Sequence, residues 1–243
     1  NTSLVISCKE KAYASQGCST LASEAAIAVE NANNFMKLEK SRERERESYL
    51  QTVLALAQTV DEKDTYTHGH LQEVTYLGMQ MAKELEDSKE IQVDINKEEL
   101  EVALKLHDVG KVGIPDRILH KTGKLNPEEW NIMKQHCEIG VRIVEPIIRF
   151  KRVGEIIKYH QEKYDGSGYP MGLKGDDIPI ESRIIAVVDA YHAMVSDRPY
   201  RKGMSQKAAI QELKDGIGKQ FDPLIVWVFI KAWEKGKIKR PKK

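Results

Sequence analysis

Leu106-His107-Asp108-Val109-Gly110-Lys111 is the stretch from which the chain is best read. His and Asp side chains each offer a metal lone pair. Neighbouring helical positions point about 100° apart, so the two converge on one ion only where that helix lines a pocket. Val102, Ala103, Leu104 and Leu106 are apolar, so this turn is expected to be buried. A buried, ionised Asp has to be paired or bound to a cation. A core His hydrogen-bonded to a neighbouring Asp satisfies the same rule, and the six residues alone do not separate the two readings.

Working outward, Gly110, Gly113 and Pro115 break the helix after Asp108. The surrounding pattern over 61–243 is almost entirely helical. His70 to Glu86 carries the apolar stripe Val74, Leu77, Met81, Leu85. Residues 97–108 form the helix ending in His107 and Asp108. Asn126-Pro127-Glu128-Glu129 reads as a helix start, with Asn as N-cap and Pro at the first position; that helix should reach His136. Further helices are expected at about 139–148, 150–162, 181–196, 205–215 and 223–234. The loop Asp165-Gly166-Ser167-Gly168-Tyr169-Pro170 is built of turn residues. The basic stretch 235–243 lacks interleaved aromatics and reads as a solvated tail.

Upstream, helical spacing runs from Thr20 to about Val60, with Leu21, Ala25, Ala28, Ala32, Phe35, Tyr49, Val53, Leu56 and Val60 in a heptad-like register. Its middle, Lys37 to Glu47, is highly charged. Such a helix predicts a coiled-coil-like connector and a parallel homodimer. Residues 3–7, Ser3-Leu4-Val5-Ile6-Ser7, read as a short β-strand. With no initiator Met, a further N-terminal part is expected before this sequence.

Composition narrows the classes. The chain has 243 residues, 41% of them hydrophobic, enough for a sizeable core. A net charge of +1 argues against a nucleic-acid polymer as partner. Cys8, Cys18 and Cys137 are odd in number and show no CxxC spacing, which fits a reducing, cytoplasmic setting. No apolar run approaches the roughly 18 residues of a membrane span.

His70, His107, Asp108, His136, His160 and Asp189 each lie at a helix end or on an apolar-faced helix. Any one alone is more often structural. Helical bundles, however, build dinuclear centres from carboxylates and imidazoles projected inward, and two cations about 3.5–4 Å apart can clamp a phosphoryl displacement.

Five further stretches join His107-Asp108 in one order. They are Asp64 to His70, Met133-Lys134-Gln135-His136, His160 to Pro170, Ser182 to Asp189, and Ser196-Asp197-Arg198-Pro199-Tyr200-Arg201. Together they resemble the HD-GYP domain, a branch of the HD phosphohydrolases. The resemblance implies an all-α HD-domain helical bundle acting as a cyclic di-GMP phosphodiesterase that yields pGpG, possibly continuing to GMP. It implies one metal on His70, His107, Asp108 and Asp189, and a second on Asp108, His136 and His160, with iron or manganese as the usual ions. Lys111 would hold or protonate the leaving phosphate, and Tyr169, Arg198 and Arg201 would contact the dinucleotide. A metal-containing sensor of cyclic dinucleotides and a hydrolase of another one, such as 3',3'-cGAMP, are the alternatives.

The chain departs from the family at three places. Gln161 stands where many members have a second His, Tyr66 where some have a Glu that recruits a third metal, and His192 where many have Asp. Leu21 to Asn34 resembles the last helix of a GAF domain, and the strand at 3–7 would be that domain's last strand. The expected organisation is a GAF-like remnant at 1–35, a helical linker at 36–60, an HD-GYP domain at 61–234 and a basic tail at 235–243.

Overall fold

The computed structural model describes residues 2–63, 70–88, 93–145, 151–197 and 202–238. Among these, ten α-helices follow one another: α1 Thr2–Lys63, α2 His70–Glu86, α3 Lys97–Leu106, α4 Asp116–Leu119, α5 Pro127–Lys134, α6 His136–Val144, α7 Lys151–Tyr159, α8 Ile180–Val195, α9 Gln206–Asp215 and α10 Pro223–Glu234. The expected all-α architecture is present, and the described residues hold no sheet.

The strand expected at 3–7 is wrong: those residues lie in α1. Val5 and Ile6 are β-branched and read locally as strand. A lone strand, though, leaves its backbone N–H and C=O groups unpaired, whereas a helix satisfies them within itself. The strand half of the likeness to a GAF domain is thereby lost. Residues 239–243, Asp64 to Gly69, Arg198 and Arg201 lie outside the described residues.

The chain divides into two compact units, Asn1–Thr52 and Val53–Lys243. In the first, the charged run from Lys37 to Glu47 is solvent-facing, and Ile27, Val29, Phe35, Met36 and Leu38 are all more than half exposed.

The second unit is the helical bundle. The stripe read from the sequence on α2 is its core face: Val74, Leu77, Met81 and Leu85 are all buried. They pack toward α3, α8 and α10. These helices supply Leu100, Leu104, Ile184, Val188 and Phe229, with Tyr191 and Phe229 in ring contact at 4.8 Å between centroids. Caps fix the helix starts. Asn126 and Glu129 form a reciprocal capping box on α5, and Asn96, Ser205 and Asp222 cap α3, α9 and α10.

Two boundaries differ from expectation in a way that matters for the site. α3 ends at Leu106, and Asp108 sits at φ −99°, ψ 5°, opening a 3-10 turn over Val109–Gly113. His107 and Asp108 are therefore not fixed by one continuous helix, and the 100° separation expected for them does not constrain their side chains. His136 does not end α5 but begins α6, after a break at Gln135. α6 packs directly on the Val109–Gly113 turn. Gly110 makes that approach possible, because a Cβ there would run into His136 O and come within 2.5 Å of Gly140 N.

Candidate metal centre

His107, His136 and His160 occupy equivalent places: each lies just past the C-terminal end of a helix, α3, α5 and α7. The last carbonyls of a helix have no partner within it. Each imidazole supplies one through Nδ1, to the carbonyl three residues back. The distances are 3.0 Å from His107 to Leu104 O, 2.8 Å from His136 to Met133 O, and 2.7 Å from His160 to Ile157 O. A carbonyl can only accept, so Nδ1 carries the proton in all three rings, and each neutral ring keeps its lone pair on Nε2.

Those three lone pairs converge on one carboxylate. His107 Nε2 is 3.5 Å from Asp108 Oδ2, while His136 and His160 Nε2 lie 3.7 and 3.9 Å from Asp108 Oδ1. The Nε2 atoms of His136 and His160 face each other at 3.4 Å. His107 Nε2 is fully buried and has no hydrogen-bond partner. Acceptors facing acceptors in a buried site are unfavourable unless a cation lies among them. The donor set, neutral imidazoles around carboxylate oxygens, suits a divalent transition metal.

On the other side of Asp108, His70 directs Nε2 at Asp189 Oδ1, 3.5 Å away. His70, His107 and Asp108 bring their ligand atoms within 4.8 Å of one another. The structure thus brings together all six residues that the sequence singled out. Lys111 Nζ lies 2.6 Å from Asp108 Oδ2.

The electrostatics follow from burial. Loss of solvent pushes the His70 imidazole down to about 4, helped by His107 and His192. Burial, with His107 and His136 beside it, takes His160 down to about 3; His136 is lowered too, again first by burial. The rings therefore stay uncharged and able to donate lone pairs through the neutral range. Burial alone would raise the Asp108 carboxyl. The Lys111 ammonium beside it outweighs that and holds the group well below the usual carboxylate range.

Tyr169 stands at the rim, its ring edge-on to His136 at 6.3 Å and to the half-exposed Trp130 at 5.9 Å. Burial pushes its phenol up, so it remains a neutral donor. The loop carrying it is held by Glu162, whose Oε1 accepts from Met171 N at 2.7 Å and Gly172 N at 3.0 Å. Gly168 fits only without a side chain, since a Cβ there would meet the backbone of Glu162 and Lys163.

Sequence reasoning missed three residues. Glu162 was quoted only as part of a motif. Cys137 was set aside for want of a CxxC, yet its buried Sγ is 3.5 Å from His136 Nε2 and groups with His136 and His160. Burial pushes that thiol up. Glu73 carried no signal at all; it lies 2.9 Å from His192.

Comparison with known proteins bears on the family and the fold. Residues 37–225 match the HD domain family. A cyclic di-GMP phosphodiesterase of Thermotoga maritima is 42% identical over 202 residues, covering 80% of this chain and 53% of that protein. The 3'3'-cGAMP-specific phosphodiesterase 2 of Vibrio cholerae is 40% identical over 213 residues, covering 86% of this chain and 38% of its own length. The chain thus spans about half or less of the length of these curated relatives. A crystal structure of a cyclic GMP-AMP-specific phosphodiesterase from V. cholerae superposes with a TM-score of 0.58 at 20% identity, over 79% of this chain and 49% of that one, a likeness of fold. With its family match covering most of its length, this chain belongs to the HD domain family.

Proposed function

We propose that this chain hydrolyses a phosphodiester of a cyclic dinucleotide, cyclic di-GMP in the first place, to the linear pGpG, with GMP as the further product. The observation that carries the reading is the convergence of three Nε2 lone pairs on Asp108. His70, His107, Asp108 and Asp189 would hold one divalent ion, and Asp108, His136 and His160 a second, with iron or manganese suited to imidazole and carboxylate donors. Such ions would supply Lewis acidity and would activate a water as nucleophile near neutral pH.

The residues of the chain do the rest. Asp108 spans both positions and keeps them close. Lys111, drawn to Asp108, places its ammonium where a phosphate oxygen or the departing alkoxide can take a hydrogen bond or a proton. Tyr169 and Trp130 offer an aromatic surface beside His136 of the kind on which a base stacks. Arg198 and Arg201 would complete the grip on the phosphates.

The test is incubation of metal-loaded protein with cyclic di-GMP and, separately, 3'3'-cGAMP, with products followed by chromatography and bound metal measured by elemental analysis. Linear product with two ions per chain supports the reading. The cGAMP arm is motivated by relatives of that specificity at 40% identity. Binding of either dinucleotide without turnover would make the domain a sensor instead.

Residues 61–234 would carry this chemistry and 36–60 the connection to the helical residues 1–35, of whose likeness to a GAF domain only the Leu21 to Asn34 half is left to test. The described helices include none long and apolar enough to cross a membrane. A free buried thiol at Cys137 suits the reducing cytoplasm.

A homodimer through α1 would cover Phe35, the exposed large apolar residue of the expected heptad seam. Tyr49 and Leu56, expected in its seam, are already half-buried within one chain. Deleting residues 1–48 should convert a dimer into a monomer by light scattering; an unchanged mass would place the interface elsewhere.

A further inference from the structure

We propose that Glu73 and His192 form a positioning chain that fixes the tautomer and aim of His70, and so sets how firmly the His70 side of the centre holds its cation. This rests on the metal-dependent reading above. The Nδ1 contact of His70 differs in kind from those of the other three imidazoles. Those three each find a carbonyl three residues back. His70, the first residue of α2, has the His192 ring against its Nδ1 instead.

The support comes from α8, which packs against α2. His192 is one turn beyond Asp189 on α8, and Glu73 is one turn beyond His70 on α2. His70 Nδ1 and His192 Nδ1 are 2.8 Å apart, and His192 Nε2 is 2.9 Å from Glu73 Oε2. The two rings meet edge to face at 4.6 Å between centroids. His192 is buried, and Ser196 Oγ lies 3.1 Å from its Nε2 and 3.4 Å from its Nδ1, steadying the ring.

Proton placement follows link by link. The Glu73 carboxylate can only accept, so His192 Nε2 carries the proton between them. A neutral His192 then has its lone pair on Nδ1. The Nδ1–Nδ1 contact needs one proton, which has to come from His70. His70 Nε2 is left with the lone pair, and it is this atom that points at Asp189. The arrangement is a carboxylate–histidine–ligand relay with one extra imidazole between carboxylate and ligand. It also gives a use to His192, with the carboxylate supplied by Glu73 one step further out.

The experiment has two readouts. In the cation-free protein, long-range 1H–15N correlation spectra should show His70 as the Nδ1–H tautomer. His192→Phe, which keeps a ring but no hydrogen bond, should turn it into a mixture. In parallel, manganese and cobalt are titrated against a chelating dye. His192→Phe should weaken one of the two cations by about 10–100-fold, the usual effect of losing an outer partner, and leave the other unchanged. Glu73→Ala, at a partly exposed position, should act in the same direction less strongly. His192→Asn, whose Oδ1 can replace the lost acceptor, should recover most of the affinity.

An Nε2–H tautomer of His70 in the parent would overturn the chain. So would unchanged tautomer and unchanged affinities in His192→Phe and Glu73→Ala. If instead the parent binds two cations but cleaves no cyclic dinucleotide, the functional reading fails, and the relay is still judged by tautomer and affinity.

Discussion

Asp108→Ala should abolish turnover of cyclic dinucleotide and lower the content of both cations together. The expected loss exceeds the roughly 10–100-fold that follows removal of an outer hydrogen-bond partner, because three imidazoles and Lys111 all face this one carboxylate. Without it, three buried imidazoles and the half-buried Lys111 ammonium lose their common partner. Asp108→Asn is the sharper companion: it keeps the shape, removes the charge, and leaves Lys111 beside a neutral amide. Turnover and elemental content are measured on the same preparations. Near-normal turnover with both ions retained in Asp108→Ala would remove Asp108 from the centre of the mechanism.

Gly110→Ala should have the second largest effect, although Gly110 has no side chain to take part in the chemistry. Its added Cβ would collide with backbone, His136 O and Gly140 N, and neither can rotate away. α6 has to move, and His136 with it. Overpacking of this kind costs about 1–3 kcal/mol. For a domain of this size that lowers the melting temperature by roughly 2–12 °C. A displacement of about 1 Å at a catalytic group can cost about 100-fold in rate. Gly113→Ala is the contrast, since its Cβ would meet only the Ile139 side chain at 3.0 Å and beyond, a group that can yield. Equal melting temperatures and rates for the two variants would show that the close approach of α6 is not essential.

Periodicity made the bundle legible. The stripe on α2, the Asn126 start of α5 and the helices of the C-terminal third come directly from apolar spacing and capping residues, which are local signals. The strand at 3–7 failed because a short run such as Ser3-Leu4-Val5-Ile6-Ser7 looks alike in a helix and in a strand; what decides is whether a partner strand exists, which five residues do not reveal. The break at Asp108 was half visible, since Gly110 and Gly113 announced it but not the residue where it begins.

The six candidate ligands were legible because His and Asp at helix ends carry their chemistry in their identity. Glu73 was not, and His192 was visible only as a departure from the family pattern, because their contact spans 119 residues and a Glu on an amphipathic helix looks like solvated surface. Cys137 was hidden for a similar reason: its neighbour His136 is adjacent in sequence, but His160 comes from another helix.

The carbonyl bonds made by His107, His136 and His160 also bear on how the centre fills. Each is formed within a single helical turn, as soon as that turn exists. Ordering a side chain normally removes rotamer freedom, from zero up to about 2 kcal/mol depending on its length. Here that loss falls in the folding of α3, α5 and α7. An arriving ion meets rings already turned inward, so its capture requires little reorganisation, and the speed of filling is governed by shedding water and reaching Asp108 rather than by any rearrangement of the imidazoles.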